Sequence, residues 1–287
     1  MTTTTHQLDN GISLTVYHPA PCDTPQPAVV LCHGFCGIQG LLLPAFAQAF
    51  AQAGYLSVTF DYHGFGASEG ERGRLVPALQ IDDIVSVLQW VSARPEVDES
   101  RIGLWGTSLG GAHVFGAARL YPQVKCIISQ LAFADGEAIV TGAMTDEEKR
   151  GFVESLDKMA QKKAATGKEM FVSITRVLND EESRAFFDSH KADWPAMDIK
   201  IPFLTVRETL LYKPQENARQ VTCPTLIVVA GEDTVNPPAQ GEALFQAVGA
   251  ANKRLYREEG ARHYDVYRGT HFEAVIAQQL VWFADNL

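Results

Sequence analysis

Residues 103–111 read Gly-Leu-Trp-Gly-Thr-Ser-Leu-Gly-Gly, and this stretch is more informative than any other in the sequence. Within it, residues 106–110 fit the pattern Gly-x-Ser-x-Gly, in which a serine occupies a strained corner between a strand and a helix. The small flanking residues let the backbone bend tightly at that corner. The pattern makes Ser108 a candidate nucleophile, although a loop with no catalytic role can match the same five residues by chance.

The sequence on either side of Ser108 predicts the strand and the helix that such a corner requires. Upstream, residues 101–105 form a short apolar run bounded by turn residues, which is typical of a buried strand. Downstream, residues 112–120 are free of proline and rich in alanine, which favours a helix that ends before Tyr121-Pro122. The order strand, turn, helix supports a catalytic serine.

A serine hydroxyl is a weak nucleophile near neutral pH, so it needs a histidine base that a carboxylate orients. The clearest strand in the second half of the chain, residues 224–230, runs into a turn that carries Glu232 and Asp233. Asp233 is the predicted acid, and Glu232 is the neighbouring alternative. Without a catalytic role, Asp233 is interpreted as a turn residue or as the cap of the helix that follows.

Eight histidines compete for the role of base. His263 lies in a glycine-containing turn before the last helix, 30 residues (263 − 233) after Asp233, which is about one strand–helix–strand unit. His271 stands close to the start of that helix and is predicted to be a surface or capping residue. The order Ser108, Asp233, His263 is the one that α/β-hydrolases use.

With these motifs the chain resembles the α/β-hydrolase superfamily, and two further segments agree. Residues 29–37 are similar to the strand and His-Gly turn that supply an oxyanion-hole amide there, and residues 58–70 to the next strand and its D-x-x-G-x-G-x-S loop. The resemblance covers about residues 10–132 and 218–287. Together with the alternation of strand-like and helix-like stretches, it predicts an α/β fold with a mostly parallel, doubly wound sheet.

The end of the chain has a more distant resemblance. Residues 260–267, followed by a helix and Trp282-Phe283, are similar to a bacterial branch related to dienelactone hydrolases and X-prolyl dipeptidyl peptidases. Two residues depart from the family patterns. His63 stands where the superfamily loop often has arginine, which is expected to affect a structural hydrogen bond. Ser108 stands where dienelactone hydrolases have cysteine, so a dienelactone substrate is not implied.

A serine mechanism also needs two backbone N–H groups aimed at the oxygen that becomes negative in the tetrahedral intermediate. Leu109 is predicted to supply one, because it begins a helix whose dipole favours an anion. The resemblance implies Phe35, the residue after His33-Gly34, as the second donor, with Cys36 as a substitute. The alternative is that His33-Gly34 forms an ordinary turn at the end of a strand.

From about residue 133 to residue 213 the composition becomes helix-forming and charged. This interval of 81 residues (213 − 133 + 1) is too long for a structureless loop in a compact domain. We therefore predict a hydrolase core at 1–132 and 214–287, and a helical cap at 133–213 over the carboxyl ends of the strands, where α/β proteins bind ligands. Thr145 or Asp146 is expected to cap one of its helices, and Asn179 or Asp180 a later one.

Large apolar side chains in the predicted cap favour a small-molecule substrate with an apolar group, although most of them are expected to form the cap's own core. They are Phe152, Met159, Met170, Phe171, Phe186, Phe187, Trp194 and Phe203.

Composition limits the other partners and the compartment. A net charge of −10 and a pI of about 5.3 make nucleic acid and anionic membranes poor partners. The first residues lack a secretory signal, no run of 18 apolar residues follows, and five cysteines without a C-x-x-C pair suit free thiols, so a cytoplasmic protein is predicted. No metal-ligand spacing or phosphate-binding loop is present, so we predict neither metal nor cofactor. Homo-oligomerisation is left open.

The predicted function is that of a serine hydrolase. Ser108 attacks a carbonyl carbon, His263 takes the proton and passes it to the leaving group, and water then clears the acyl-enzyme. Carboxylic ester cleavage leads, because alcohols make the fewest demands as leaving groups, while thioester, amide or peptide, and carbon–carbon cleavage use the same machinery. A non-catalytic ligand-binding protein on the same fold is the alternative from another class.

Overall fold

The computed structural model describes residues 2–287; residue 1, the first of the predicted core range 1–132, lies outside the described residues. In chain order the strands are β1 (Thr2–Gln7), β2 (Ser13–His18), β3 (Gln26–Cys32), β4 (Leu56–Phe60), β5 (Val97–Thr107), β6 (Cys126–Gln130), β7 (Phe171–Ser173), β8 (Lys200–Pro202), β9 (Thr225–Ala230) and β10 (Lys253–Glu258). The helices are α1 (Leu43–Gln52), α2 (Pro77–Ser92), α3 (Leu109–Leu120), α4 (Gly136–Thr141), α5 (Asp146–Thr166), α6 (Glu181–His190), α7 (Thr205–Leu211), α8 (Pro214–Ala218), α9 (Pro238–Ala247) and α10 (Gly269–Asn286).

Eight of the strands form one sheet in the order β1-β2-β4-β3-β5-β6-β9-β10. The pairs β1–β2 and β2–β4 are antiparallel, and every other pair is parallel. This arrangement confirms the predicted α/β class with a mostly parallel sheet. Since parallel strands end on the same side, the loops after β3, β5, β9 and β10 meet at one edge of the sheet.

Both faces of the sheet are buried, as a doubly wound fold requires. Alternate residues of β3 enter two different apolar clusters, with Val30 in one and Val29 in the other. The first cluster includes Phe115 of α3 together with apolar residues of α2 and α9. The second cluster includes Phe46 of α1 and Phe283 of α10. The helices therefore cover the sheet from both sides.

The antiparallel strands at one end of the sheet are the part of the fold that the sequence does not predict. β1 reads Thr-Thr-Thr-Thr-His-Gln, and most of its residues are exposed. It therefore lacks the alternation of apolar and polar residues by which a half-buried strand is recognised. Its position as an edge strand, paired on one side to β2, explains why so polar a segment is tolerated there.

Residues 133–213, hereafter the insert, contain α4 to α7 and a small antiparallel pair formed by β7 and β8. Thr145 begins α5 with a capping box to Glu148, and Asp180 caps α6. Asp135 caps α4, which the sequence analysis does not identify. Most of the insert is helical, as expected; its division from the core as a separate cap domain stays a prediction.

A chain of buried polar side chains ties α10 to the strands beneath Ser108. The indole N–H of Trp105 donates to Gln279 Oε1 at 2.9 Å, and the Gln279 amide donates to Gln130 Oε1 at 2.7 Å. Gln130 in turn donates to Thr107 Oγ1 at 3.2 Å, and Thr107 Oγ1 lies 2.5 Å from the hydroxyl of Tyr267. These bonds satisfy polar groups that would otherwise be buried without partners, and they pass through Thr107, the residue before Ser108.

We expect Gln279→Leu to lower the free energy of unfolding by at least about 2 kcal/mol. The indole N–H of Trp105 and the side-chain Oε1 of Gln130 would both stay buried without a partner. Urea unfolding measures this loss. The matched control is Gln278→Leu on the same helix, where the half-buried side chain makes no hydrogen bond within residues 2–287. Equal destabilisation by the two variants would contradict the role given to Gln279.

Candidate active site

Ser108 lies at a sharp corner between the end of β5 and the start of α3. Its backbone has φ 55° and ψ −121°, which a residue with a side chain rarely adopts and which carries strain of order 1–3 kcal/mol. The N–H of Ser108 donates to Gln130 O at 2.8 Å, and its carbonyl accepts from Ala112 N–H at 3.1 Å. The strand, the turn and the helix therefore lie where the sequence predicts them.

The two glycines of the motif are required by the close packing around this corner. A Cβ atom on Gly106 would lie 2.3 Å from the carbonyl oxygen of Gly110. A Cβ atom on Gly110 would lie 2.3 Å from the carbonyl oxygen of Cys32 and 2.4 Å from that of His33. The start of α3 thus packs directly against the end of β3, which brings Ser108 next to the turn at Gly34.

The predicted acid and base form a buried hydrogen bond. Asp233 Oδ2 accepts from His263 Nδ1 at 2.7 Å, and the two side chains are 1% and 3% exposed. Because a carboxylate oxygen only accepts, this bond places the imidazole proton on Nδ1 and leaves Nε2 free to receive another. The exposed Glu232, the alternative acid, makes no side-chain hydrogen bond within residues 2–287.

Asp233 is also the turn residue that its non-catalytic interpretation describes. Its Oδ1 accepts from the backbone N–H groups of Val235 and Asn236, each at 2.8 Å. The same carboxylate therefore fixes the loop after β9 with one oxygen and meets His263 with the other. The turn interpretation is therefore correct, and the role of catalytic acid stays a prediction that the bond to His263 is consistent with.

His271, the alternative histidine, lies elsewhere. Its Nδ1 is 2.7 Å from Glu258 Oε1 at the end of β10, and its side chain is one-third exposed. It stands near the start of α10, as predicted for a surface residue. The structure therefore brings His263, and not His271, to the predicted acid.

The charges around His263 set its protonation. Burial by itself lowers the pKa of the imidazole, but the charge and hydrogen bond of Asp233 outweigh it, with further contributions from Glu182 and Asp180. The net result is a pKa above the ordinary histidine value. A buried imidazole whose charged form is stabilised in this way can accept a proton from a neighbouring hydroxyl.

Asn236 is a residue at the site that sequence reasoning missed. Its amide nitrogen donates to Leu131 O at 2.7 Å and lies 3.4 Å from Ser108 Oγ, which accepts from it. Ser108 and His263 face the same cavity but share no hydrogen bond within residues 2–287. Bonds between a nucleophile and its base are often long in unliganded sites. A lone asparagine three residues after Asp233 carries no recognisable sequence signature.

The predicted anion-binding amides are available. Within residues 2–287, the backbone N–H groups of Phe35 and Leu109 have no hydrogen-bond acceptor, and both residues line a cavity together with Ser108. Leu109 is the first residue of the 12-residue helix α3, where an N–H group has no partner in its own helix. Cys36, the substitute for Phe35, is buried and lines neither of the cavities at Ser108 in the described part of the chain.

Two other histidines, His33 and His63, are held by hydrogen bonds within the fold. Burial lowers the pKa of His33 to about 4, and its Nε2 bonds to Leu41 O at 2.8 Å. His63, at the position that departs from the superfamily loop, has Nδ1 2.6 Å from Asp83 Oδ1 and Nε2 2.6 Å from Asn10 O. Burial lowers the pKa of His63, but these two bonds together with the charges of Asp83 and Glu69 outweigh it and raise the pKa overall. The structural hydrogen bonds expected at His63 are present.

Two cavities meet at Ser108. The large cavity, about 450 Å³, lies between Leu109 and the insert, with Phe152 and Phe203 in its wall. The small cavity, about 40 Å³, lies beside His263, with Phe186 and Phe187 in its wall. Of the eight large apolar residues singled out in the insert, the other four line neither cavity: they are Met159, Met170, Phe171 and Trp194.

In the described part of the chain, no three His, Cys, Asp or Glu side chains are grouped closely enough to hold a metal ion. None of the helices within residues 2–287 combines the length and the apolar composition needed to cross a lipid bilayer.

Comparison with known proteins identifies the family. The model of the family described as "Serine aminopeptidase, S33" matches residues 23–266. The chain belongs to this family of α/β-hydrolases. The resemblance to α/β-hydrolases is thereby confirmed, and the protein is a hydrolase; the closer likeness to the dienelactone hydrolase branch stays a prediction.

Individual proteins are also similar to this chain. The chain is 57% identical over 287 residues to an Escherichia coli protein described as "Uncharacterized 31.7 kDa protein in traX-finO intergenic region", with 100% of both chains covered. It is 27% identical to "Thiohydrolase aneE" of Aspergillus aculeatus over 91% of this chain and 86% of that one. The crystal structure of the α/β-hydrolase GrgF from Penicillium sp. sh18 superposes with a TM-score of 0.80 at 20% identity, covering 99% and 98% of the two chains.

We expect Gly110→Ala to destabilise the protein by more than about 1 kcal/mol, because the added methyl group overlaps two backbone oxygens that cannot move independently. The control is Gly151→Ala in α5, where a Cβ atom meets nothing within 4 Å and about 0.5–1 kcal/mol should be gained. Urea unfolding compares the two. A stabilising Gly110→Ala would contradict the packing of α3 on β3.

Proposed function

We propose that the protein is a serine hydrolase that cleaves carboxylic esters through an acyl-enzyme on Ser108. The observation that carries the proposal is the hydrogen bond from His263 Nδ1 to Asp233 beside the cavity that Ser108 lines. That bond leaves His263 Nε2 as the atom that receives the serine proton. The available amides of Phe35 and Leu109 support the same assignment.

The chemistry follows in two halves. In the first, Ser108 Oγ attacks the ester carbonyl carbon while its proton moves to His263 Nε2, and the new negative oxygen accepts hydrogen bonds from the N–H groups of Phe35 and Leu109. The C–O bond then breaks, and the alcohol leaves with the proton from His263. In the second, water loses a proton to His263 and attacks the acyl carbon; the bond from that carbon to Ser108 Oγ then breaks, His263 returns the proton to Oγ, and a carboxylic acid is released.

Asp233 contributes throughout by holding the imidazole. It fixes the Nδ1–H tautomer and stabilises the positive charge that forms on the ring in each half-reaction. The pKa of His263 is raised for the same reason, because the neighbouring carboxylates favour the charged ring. As the pH falls, His263 therefore becomes protonated at a higher pH than an ordinary histidine does. The neutral ring that the first step needs is lost at that point.

Thioester cleavage is the second candidate. It uses the same acyl-enzyme with a thiol in place of the alcohol, and it is supported by the 27% identity to the Aspergillus aculeatus thiohydrolase over most of both chains.

The predominantly apolar wall of the large cavity supports a small-molecule substrate with an apolar group. The five free cysteines, of which Cys22 is exposed, support a reducing compartment such as the cytoplasm.

Labelling with a fluorophosphonate, followed by peptide mass spectrometry, tests the nucleophile. We expect one adduct on Ser108, and none in Ser108→Ala or in a protein whose Ser108 is not activated. Ester turnover should fall by several orders of magnitude in Ser108→Ala and His263→Ala, since loss of the nucleophile or base costs up to about 10⁶-fold in kcat. A ligand-binding protein without catalysis would give neither label nor turnover.

Matched variants identify the acid and base. Asp233→Asn should lower kcat by about 10⁴-fold, because the wrong imidazole tautomer is then held, whereas the exposed Glu232→Gln should change little. His271→Ala should likewise retain activity. A large loss in Glu232→Gln or His271→Ala, with activity kept in Asp233→Asn or His263→Ala, would transfer the role to the other residue.

A further inference from the structure

The two cavities at Ser108 differ in size and in the groups they present. The large cavity has about 450 Å³, within the range of about 300–1,000 Å³ typical of small-molecule sites, and 12 of its 19 lining residues are apolar. The small cavity has about 40 Å³, room for a few groups the size of a water molecule, which needs about 10–15 Å³. Ser108, Phe35, Leu178 and Val235 line both cavities and form the boundary between them.

The positions of the proposed base and amides assign the two cavities to the two halves of a substrate. The leaving group must lie within hydrogen-bond reach of His263, because His263 gives it a proton. His263 lines the small cavity and not the large one. The acyl group extends from the carbonyl carbon in another direction, and the large cavity is the space that adjoins Ser108 and Leu109.

We propose that the substrate combines a long apolar acyl group, bound in the large cavity, with a small leaving group, bound in the small cavity. The proposal rests on the serine-hydrolase function proposed above. It predicts an enzyme that discriminates by the acyl side and tolerates little bulk on the alcohol side.

The wall of the small cavity is held in place by the insert. The ring of Phe186 in α6 stacks on that of Tyr264 at 4.3 Å with an interplanar angle of 11°. The Tyr264 hydroxyl is bonded to the buried Ser183 at 3.2 Å, and Phe187 and Met197 are also buried. A bulky leaving group would have to separate this stacked pair, so the size limit is built into packed side chains.

Two isomeric esters test the assignment directly. Methyl octanoate and heptyl acetate have the same atoms and nearly the same hydrophobicity, but the long chain is on the acyl side in one and on the alcohol side in the other. We expect kcat/KM for methyl octanoate to be at least about tenfold higher, the scale of discrimination that a pocket achieves for misplaced methylene groups. Equal values, or a preference for heptyl acetate, would overturn the proposal.

A cavity-filling variant locates the acyl group. Val206→Trp in α7 places an indole at the wall of the large cavity and should reduce turnover of methyl octanoate at least about tenfold while sparing methyl acetate. The control is Leu211→Trp on the same helix, where the side chain is exposed and lines neither cavity within residues 2–287. A Val206→Trp protein that is labelled at Ser108 yet keeps full activity on methyl octanoate would overturn the assignment.

Failure of this proposal is distinguishable from failure of the proposed function. Labelling of Ser108 without preference for the methyl ester contradicts only the division of the cavities. Absence of both labelling and ester turnover contradicts the serine-hydrolase function and this proposal with it.

Glu182, the second residue of α6, bonds to two loops of the core. Its Oε1 accepts from the backbone N–H of Tyr264 at 3.2 Å, and its Oε2 accepts from the Thr234 hydroxyl at 3.3 Å. Tyr264 directly follows His263, and Thr234 directly follows Asp233. One carboxylate of the insert therefore connects the two loops that carry the proposed base and acid.

We also propose that Glu182 is a positioning residue that holds these loops in register and adds negative charge behind His263. The titratable groups around the imidazole are the carboxylates of Asp233, Glu182 and Asp180, the ring of Tyr264 against it, and Tyr267 and His33, which line the same small cavity. Burial raises the pKa of both tyrosines and lowers the pKa of His33. All three side chains are therefore neutral near pH 7. The charge near His263 is thus that of three carboxylates.

Glu182→Gln separates charge from hydrogen bonding, since glutamine can keep a bond to each loop. The acid limb of the kcat/KM profile reports the pKa of His263, below which the neutral ring is lost. Removing the charge lowers that pKa, so we expect the limb to move to lower pH while kcat on the plateau stays close to that of the parent. Glu181→Gln, at the exposed neighbouring residue, should leave the limb unchanged.

Glu182→Ala removes the bonds as well and should lower the plateau kcat at least about tenfold, because loops that shift by a fraction of an ångström misalign acid and base. An unmoved acid limb in Glu182→Gln, or equal plateau values for Glu182→Gln and Glu182→Ala, would overturn the positioning role. The glutamine variant decides the point even if the alanine variant does not fold.

Discussion

The contact between the first turn of α3 and the end of β3 is the constraint on which the rest of the site depends. Gly110 lies against the carbonyl oxygens of Cys32 and His33 at distances that no side chain would permit. Ser108, two residues before Gly110, has a φ of 55°, and Leu109 and Phe35 line the same cavity beside it. The strained backbone of Ser108, the proposed nucleophile, is thus maintained by the packing of one helix on one strand.

The parallel sheet then supplies the remaining groups from separate parts of the chain. Asp233 follows β9 and His263 follows β10, so the proposed acid and base reach the same edge as Ser108 and Phe35. The insert covers this edge and supplies Leu178 to the boundary between the two unequal cavities at Ser108. Core residues therefore provide the proposed chemistry, while the insert provides most of the wall of the large cavity and, through Glu182, a connection between the loops of acid and base.

The sequence predicts those features that leave a local pattern. The Gly-x-Ser-x-Gly motif and its apolar flank indicate the corner at Ser108, because tight turns and buried strands restrict residue type locally. The choice between Asp233 and Glu232 needs the structure, since adjacent residues differ only in direction. Asn236 and Glu182 could not be predicted either, because each acts through contacts with residues distant in sequence, such as Ser108 and Tyr264. The polar strand β1 escapes prediction since its stability comes from pairing with β2.

A crystal structure of the protein after reaction with an alkyl fluorophosphonate tests the central claim most directly, because the phosphonyl group stands in for the tetrahedral intermediate. We expect phosphorus bonded to Ser108 Oγ, with its free oxygen about 2.7–3.1 Å from the backbone nitrogens of both Phe35 and Leu109. An adduct on another residue, or a phosphonyl oxygen directed away from those two amides, would contradict the account.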